Sequence, residues 1–184
     1  MTRTAGPNIL SQTIRTAPGN ISLEVREPFA NAFEKLTNTP GYSHELAKKL
    51  QVVELSYYPS PHEAKKMEAR AVCELTVDRG MVNDAQMLHG GCSAFLVDFC
   101  GSIVITLHQC HSRKDWGRHV SKTINMTYHA PAPIGAKLKI VNTTVSMGAQ
   151  SRTMTSQTEI YDVTNGRLVA SGTHVKMEPS GAKL

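Results

Sequence analysis

The chain has 184 residues and a mass of 20.1 kDa, which is the length of one domain. Hydrophobic residues make up 40% and charged residues 19%, a balance that excludes disordered and fibrous classes. The longest weakly polar stretch, residues 92–107, carries several polar side chains and is shorter than the roughly 20 residues of a membrane span. We therefore expect no transmembrane helix.

The charge is moderately positive. Twenty Lys and Arg against 15 Asp and Glu give a net charge of +5 and an isoelectric point near 9.1, which suits an anionic partner. The basic residues are spread along the chain, and only four Phe, five Tyr and one Trp are available for stacking on bases. We therefore expect no nucleic acid, whereas a phosphorylated small molecule suits the same charge.

The cysteines and the N-terminus bear on the compartment. No CxxC pair and no secretory signal peptide is present, so reduced intracellular thiols are expected at Cys73, Cys92, Cys100 and Cys110. The first 23 residues contain Arg3 and Arg15 but no acidic residue, a weak likeness to a mitochondrial presequence. A flexible cytosolic tail is the simpler interpretation. A cytoplasmic location is predicted, and a mitochondrial one stays open.

The N-terminal part is predicted to be helical. Within residues 28–50, apolar side chains recur every three to four residues, and Asn38-Thr39-Pro40-Gly41 interrupts them. This pattern indicates two short helices. Residues 1–50 are thus predicted to form an N-terminal extension with a flexible tail and short helices.

The rest of the chain alternates between strands and one helix. Alternating apolar residues predict strands at 51–58 and 66–78, and later at 119–129, 137–147, 152–162 and 167–177. The apolar run that begins at His89 is too long for a strand and predicts the one long helix. The predicted fold class is α+β, with a mostly antiparallel sheet around this helix over residues 51–178 and a C-terminal tail at 179–184.

The start of the long helix suggests carbonyl chemistry. His89-Gly90-Gly91 opens it, and glycines there let another molecule approach the backbone. Free N–H groups at a helix N-terminus, aided by the helix dipole, can bind a developing oxyanion. Glycine before a helix is also common in an ordinary turn, so this motif alone is weak.

Asp98 is the second unusual feature of this helix. A carboxylate in an apolar helix is costly to bury unless a partner or a function retains it. The alternative is a solvated stripe with Ser102 and Thr106, four and eight residues further on. His89 and Asp98 are about two and a half turns apart and point to opposite sides. If both serve one site, a two-fold dimer is the natural arrangement.

These residues together resemble a known family. Asn83, His89-Gly90-Gly91 and Asp98, at these spacings, resemble the small hotdog-fold acyl-CoA thioesterases of the phenylacetate-pathway and mammalian thioesterase-superfamily group. The resemblance continues through residues 120–128 and the Ala130-Pro131-Ala132 turn, and covers about residues 51–177. It implies a hotdog fold, a dimer or dimer of dimers, an acyl-CoA substrate and a role in lipid metabolism.

The resemblance also implies roles for individual residues. The Gly90 N–H would polarise the thioester carbonyl, and Asp98 of the opposite subunit would be the general base or nucleophile. Asn83 would position the water or the thioester, and His89 would support the site near the leaving sulfur. Ser121 would help to orient the attacking water. For Asn83 and Ser121 alone, a loop cap and an ordinary strand residue are the simpler interpretations.

Substrate binding is predicted more loosely. The phosphates of CoA would favour basic residues at the site mouth, and the residues predicted to contact the substrate are Gly91, Ser102, Lys122, Lys137, Lys139 and Arg152. Gln86 stands where many relatives have glycine, and the N-terminal extension is longer than the family minimum. Both departures leave the acyl-chain specificity open.

Other chemistries are less well supported. Cys92 follows the glycines, but no matching base is identifiable, and a buried packing residue is the simpler interpretation. The spacing of His108, Cys110, His111 and His119 fits no familiar zinc site, so neither a metal nor an organic cofactor is expected. No G-x-S-x-G elbow surrounds a serine.

Two rival functions remain. A hotdog hydratase or dehydratase acting on acyl thioesters would normally show an Asp-x-Asn-Pro-x-His run, which is absent. A non-catalytic acyl-CoA-binding protein would normally bring a DNA-binding module, and the two predicted helices lack a third helix and a basic recognition face. The presence of both Asp98 and the His-Gly-Gly turn favours the hydrolase.

Overall fold

The computed structural model describes residues 8–113, 119–148 and 152–179, and most of the predicted C-terminal tail lies outside them. The helices are α1 (Ile9–Thr16), α2 (Leu23–Asn38), α3 (His44–Lys49) and α4 (Gly90–Arg113), with a short 3₁₀ turn at Arg79–Met81. The strands are β1 (Gln51–Pro59), β2 (Met67–Thr76), β3 (Val120–Tyr128), β4 (Lys137–Met147), β5 (Thr153–Asp162) and β6 (Arg167–Met177). All neighbouring strands pair antiparallel in one sheet of order β1-β2-β4-β5-β6-β3.

The sheet wraps around α4. Strand residues alternate between the two faces, so every second side chain of β5 is buried toward the helix. On the helix, Leu96, Ile103 and Leu107 are fully buried and meet these inward residues in the core. The predicted α+β class is confirmed, with a curved antiparallel sheet around one long helix.

Helix α4 extends beyond the weakly polar stretch at residues 92–107. Within the described part of the chain, Gly90–Ser112 is the one helix with the length and hydropathy of a membrane span. Half of the most apolar part of this helix is buried inside the fold, as is usual for the core helix of a globular domain. The apolar side chains of this helix pack against the sheet, where α4 contacts β2, β3, β4, β5 and β6.

The N-terminal extension covers one edge of the sheet. The Asn20 side chain donates to the Tyr57 carbonyl at 2.7 Å and accepts from the Tyr57 N–H at 2.8 Å. Pro18 accepts a hydrogen bond from the Leu55 N–H at 2.9 Å. Gly19, with φ of 130°, is required between them because a Cβ there would lie 1.8 Å from the Leu55 carbonyl oxygen. Backbone groups of Leu55 and Tyr57 on the open side of β1 are thereby paired, which protects this edge strand from pairing with other chains.

Part of the extension differs from the expected flexible tail. Helix α1 forms within it, because Leu10 and Ile14, four residues apart, are fully buried in the core. Asn8 caps this helix by accepting from the Ser11 N–H. Helix α2 also begins before the predicted start and contains Pro28. The division of the chain near residue 50 stays a prediction.

Arg26 joins the helices of the extension. Its side chain is buried, and the guanidinium donates to the carbonyl oxygens of Ile14, Ala17 and Ile21, the last at 2.8 Å. These carbonyls lie at the end of α1 and in the turn that follows, where no helical N–H is available to them. One arginine therefore replaces several missing backbone donors.

Replacing Arg26 by alanine should lower the free energy of unfolding by about 2 kcal/mol or more, because buried carbonyls lose a charged donor. The matched control is Arg15→Ala, whose partners Glu27 and Glu34 are 53% and 41% exposed. Exposed ion pairs contribute at most about 1 kcal/mol, so this control should change little. Urea unfolding measures both, and equal losses in the two variants would contradict the assignment.

Candidate active site

The start of α4 presents a free backbone donor. The Nδ1 atom of His89 accepts the Gly91 N–H at 2.9 Å, and the His89 carbonyl accepts the Ser93 N–H at 3.1 Å. The Tyr128 hydroxyl donates to the Gly90 carbonyl at 3.0 Å. In the described residues the Gly90 N–H has no acceptor. One N–H group at the positive end of the helix dipole therefore remains available to a ligand.

The loop before this helix is held by Asn83. Its side-chain oxygen accepts the N–H groups of Ala85 and Met87, each at 3.1 Å. Its amide nitrogen has no partner in the part of the chain that the structure describes. Gln86, inside this loop, has φ of 59°, a left-handed conformation that favours glycine. This explains physically why glycine suits the position that Gln86 occupies.

Asp98 lies in a polar cluster formed with β3 and β6. Its Oδ1 atom is 3.3 Å from the Ser121 Oγ and 3.3 Å from the His174 Nε2. The Ser121 Oγ is itself 2.9 Å from the His174 Nε2. His174 is fully buried, whereas the Asp98 side chain is 43% exposed. The carboxylate is thus anchored through one oxygen and remains open to solvent.

A second layer of this cluster contains Ser102 and Lys176. Lys176 donates to the Ser102 Oγ at 2.8 Å, and Ser102 donates to the Asp98 backbone carbonyl at 2.7 Å. Burial lowers the pKa of Lys176, although the Asp98 carboxylate acts in the opposite direction. Burial and the Lys176 charge likewise lower the pKa of His174, against the pull of Asp98. His174 is therefore neutral near pH 7.

Sequence reasoning missed His174 and Lys176. The signal that could have found them is their alternation on β6, where Ala170 and Gly172 precede them on the same face. Polar side chains at core-facing positions of a strand require partners. The partners became visible only when the structure paired β6 with β3, which brings His174 beside Ser121.

The basic residues predicted to contact the substrate are scattered. Lys122 is exposed in a β-bulge directly after Ser121, on the edge strand β3. Lys137 and Lys139 flank the buried Leu138 and therefore lie on the outer face of the sheet, away from α4. Of these, only Lys122 lies beside the Asp98 cluster within one chain.

Arg152 lies elsewhere as well. It forms an ion pair with Glu178 at 3.2 Å and lines a groove with Gln109 and Ser112, near the C-terminal end of α4. Gly91 is exposed at the opposite end of the helix. The roles predicted for Lys137, Lys139, Arg152 and Gly91 stay predictions.

One chain does not bring the helix start and Asp98 together. Gly90 and Asp98 are eight residues apart on α4, which is about 12 Å along the helix axis. A carbonyl bound at the Gly90 N–H therefore lies out of reach of the Asp98 carboxylate of the same chain. The two chemical features occupy separate places on the helix.

Cys92 does not have the properties of an activated nucleophile. Burial, with the Asp78 charge as a second cause, raises the pKa of its thiol to about 11. The thiol is therefore protonated at neutral pH, and the described residues contain no disulfide. Among those residues no three His, Cys, Asp or Glu side chains gather as a metal site.

A long helix held by a six-stranded antiparallel sheet, with a free N–H at its start and an anchored carboxylate along it, defines a hotdog-fold protein. Residues 85–168 match the Thioesterase superfamily. The chain is 32% identical over 108 residues to acyl-coenzyme A thioesterase 13 of Mus musculus and 31% identical to that of Homo sapiens. Each match covers 58% of this chain and 71% of the relative.

Solved structures agree with this fold. Zebra fish thioesterase superfamily member 2 superposes with a TM-score of 0.65 at 26% identity, covering 86% of this chain and all of that one. The phenylacetic acid degradation protein PaaI of Thermus thermophilus, at 22% identity, shares the fold with a TM-score of 0.52 over 71% of this chain and 93% of that one. The chain belongs to the thioesterase superfamily and is a thioester hydrolase.

The buried neutral state of His174 should make folding stability depend on pH. Its pKa in the folded chain lies below the unfolded value of about 6.5, so the unfolded chain binds more protons between the two. This contribution is complete above the unfolded pKa and is lost as pH falls toward the folded one. As the pH is lowered from about 8 to about 5, the free energy of unfolding should therefore fall less in His174→Gln than in the wild type.

Urea unfolding at each pH measures this difference. His62, which is exposed, provides the control: His62→Gln should keep the wild-type dependence of the free energy of unfolding on pH. Parallel pH dependence of the wild type and His174→Gln would contradict a neutral His174.

Proposed function

We propose that the chain hydrolyses acyl-CoA thioesters to a free carboxylic acid and CoA, without a metal or an organic cofactor. The relatives named acyl-coenzyme A thioesterase support the substrate class. The observation that carries the chemistry is the half-exposed Asp98 carboxylate, anchored by Ser121 and His174 where α4 meets β3 and β6. A carboxylate in this state can take a proton from water or attack a carbonyl itself.

In this proposal the Gly90 N–H binds the thioester oxygen. Negative charge develops on that oxygen when the carbonyl is attacked, and a preorganised donor at a helix N-terminus stabilises it. The peptide unit that carries this N–H is held through the His89 carbonyl, which accepts the Ser93 N–H, and the Tyr128 hydroxyl holds the next peptide unit through the Gly90 carbonyl. Asn83, whose amide nitrogen is uncommitted in the described structure, is the second group proposed to orient the thioester or the water.

Asp98 is proposed to activate the attacking water, and Ser121 to orient it. The water oxygen bonds to the carbonyl carbon while its proton passes to the free Asp98 oxygen, and collapse of the adduct expels the CoA thiolate. Ser121, within hydrogen-bond range of Asp98, would orient that water. Direct attack by Asp98 on the carbonyl, through an anhydride that water then hydrolyses, is the alternative route.

His89 is proposed to support the leaving group. Its Nδ1 accepts the Gly91 N–H, so a neutral ring carries its proton on Nε2. That N–H is a suitable donor to a thiolate leaving near the helix start. The same hydrogen bond that caps the helix thus fixes the tautomer required for the chemistry.

A dimer would complete the site. The extension covers the β1 edge, whereas β3 at the other edge has no partner on its outer side in the described structure. We propose that β3 meets a second subunit in a dimer or dimer of dimers, so that Asp98 of one chain faces Gly90 of the other. Lys122, on the same strand, would then lie at the site mouth for the phosphates of CoA.

Asp98→Asn should lower thiol release from acyl-CoA by about 10² or more, because an amide can neither accept the proton nor attack. Short, long and aromatic acyl-CoAs should be assayed in parallel. Glu159→Gln, which removes a carboxylate from the outer sheet face, provides the control and should keep full turnover. Tight acyl-CoA binding without thiol release by the wild type would instead favour a non-catalytic binding protein.

Gly90→Pro should abolish turnover, because proline has no N–H yet is tolerated at the first position of a helix. Gly90→Ala retains the donor, and its Cβ would lie 3.4 Å from the Tyr128 ring, an ordinary contact, so turnover should be largely kept. The pair separates loss of the N–H from crowding.

Mixing subunits of Gly90→Pro with subunits of Asp98→Asn tests the shared site. If each site takes one group from each chain, half of the randomly formed dimers have one intact site, and about a quarter of the activity returns. If one chain supplies both groups, no activity returns, and the proposed dimer site is wrong.

A further inference from the structure

Two buried polar atoms lie side by side without partners. Within the described residues, neither the Ser156 Oγ nor the His174 Nδ1 has a hydrogen-bond partner. Both residues are completely buried, and they stand opposite each other on β5 and β6. Burying a polar group away from water costs free energy unless the group forms a hydrogen bond.

Gly101 of α4 leaves a shared space over these two atoms. A Cβ on Gly101 would lie 2.6 Å from the Ser156 Oγ and 3.5 Å from the His174 Nδ1. Glycine in the middle of a helix costs about 1 kcal/mol relative to alanine, so the fold gives up helix stability at this point. The hydroxyl and the ring nitrogen therefore face one small gap that any other residue would fill.

The simplest way to satisfy both atoms is a bond between them. Side chains directly opposite on antiparallel strands have Cβ atoms about 4.5–5.5 Å apart, so rotation of the Ser156 hydroxyl brings it within reach of the ring. In the Nε2–H tautomer of His174, Ser156 donates its O–H to Nδ1, whereas in the Nδ1–H tautomer the Ser156 oxygen would accept from the ring. Serine has one proton to give, and a neutral imidazole has one nitrogen that accepts.

We propose that Ser156 is a positioning residue that holds His174 in the Nε2–H tautomer, so that a directed chain of hydrogen bonds ends on Asp98. This inference rests on the proposed function and adds to it a residue that touches neither substrate nor Asp98. Nothing in the sequence pattern around Ser156 distinguishes it from other polar strand residues.

The direction of the chain follows from counting protons. With Nδ1 accepting from Ser156, the Nε2–H donates to the Ser121 Oγ at 2.9 Å, and the Ser121 O–H donates to Asp98 at 3.3 Å. In the other tautomer Nε2 would accept the Ser121 proton, and Ser121 would have none left for the carboxylate. Only in the Nε2–H tautomer do all the donors of this chain point toward Asp98. These hydrogen bonds hold the carboxylate in one position.

The electrostatics agree with a neutral ring. Burial and the neighbouring Lys176 charge lower the pKa of His174, so at neutral pH the ring is neutral and exists as one of its two tautomers. A protonated ring would have no acceptor nitrogen for Ser156.

The test is the tautomer of His174, read from ¹⁵N NMR of histidine-labelled protein, with His174→Gln to assign the signal. The wild type should carry its proton on Nε2. In Ser156→Ala the Nδ1–H form should become populated, and kcat should fall by about five- to tenfold with little change in KM, the loss expected for one buried hydrogen bond. An Nδ1–H ring in the wild type overturns the proposal even if the variant does not fold.

Thr158→Val is the matched control. Thr158 lies two residues further along β5, equally buried, and its hydroxyl donates to the Asn142 side chain at 2.8 Å. This variant should lose stability but keep the wild-type tautomer and kcat. If Thr158→Val changes kcat as Ser156→Ala does, the effect is structural and the proposal fails.

The NMR readout requires no substrate, so the outcome is separate from that of the proposed function. An unchanged tautomer in Ser156→Ala, together with an inactive Asp98→Asn, would remove Ser156 from the mechanism and leave the hydrolysis intact. A changed tautomer with no thiol release from any acyl-CoA would leave Ser156 as a positioning residue and reject the reaction.

Discussion

The structure depends on keeping one carboxylate in the middle of a largely apolar helix. Asp98 lies on α4, the helix that the whole sheet surrounds, and a fully buried carboxylate there would be costly. The fold leaves this side chain 43% exposed and brings β3 and β6 alongside to supply polar partners. The order of the strands therefore matters for chemistry as well as for packing, because Ser121 and His174 come from strands far apart in the chain.

The two edges of the sheet are treated differently. At β1 the extension pairs backbone groups of Leu55 and Tyr57 through Pro18 and Asn20, and the buried Arg26 holds the turn that contains them. At β3 the described chain provides nothing equivalent, although this is the strand that carries Ser121 and Lys122. The N-terminal extension thus closes the edge away from the polar cluster, and the edge beside the cluster stays open for assembly.

The sequence predicts most elements but not all of their contacts. The strands at 137–147 and 167–177 were predicted to the residue, because alternation over eleven positions is a long signal. Helix α1 was missed because eight residues show only two apolar repeats, and its burial depends on tertiary contact. Asp98 and the glycines stood out by chemistry and spacing, whereas His174, Lys176 and Ser156 acquire meaning only once β6 lies between β5 and β3.

The polar cluster around Asp98 is more informative about function than the His-Gly-Gly turn. A His-Gly-Gly turn offers one N–H in many folds, but a carboxylate whose hydrogen bonds continue to a fully buried histidine needs several strands in register. Covering the exposed side of Asp98 by a second subunit would lower the local dielectric and strengthen each of these bonds. Assembly through β3 would therefore do two things at once: bring a helix start opposite the carboxylate and tighten the network that holds it.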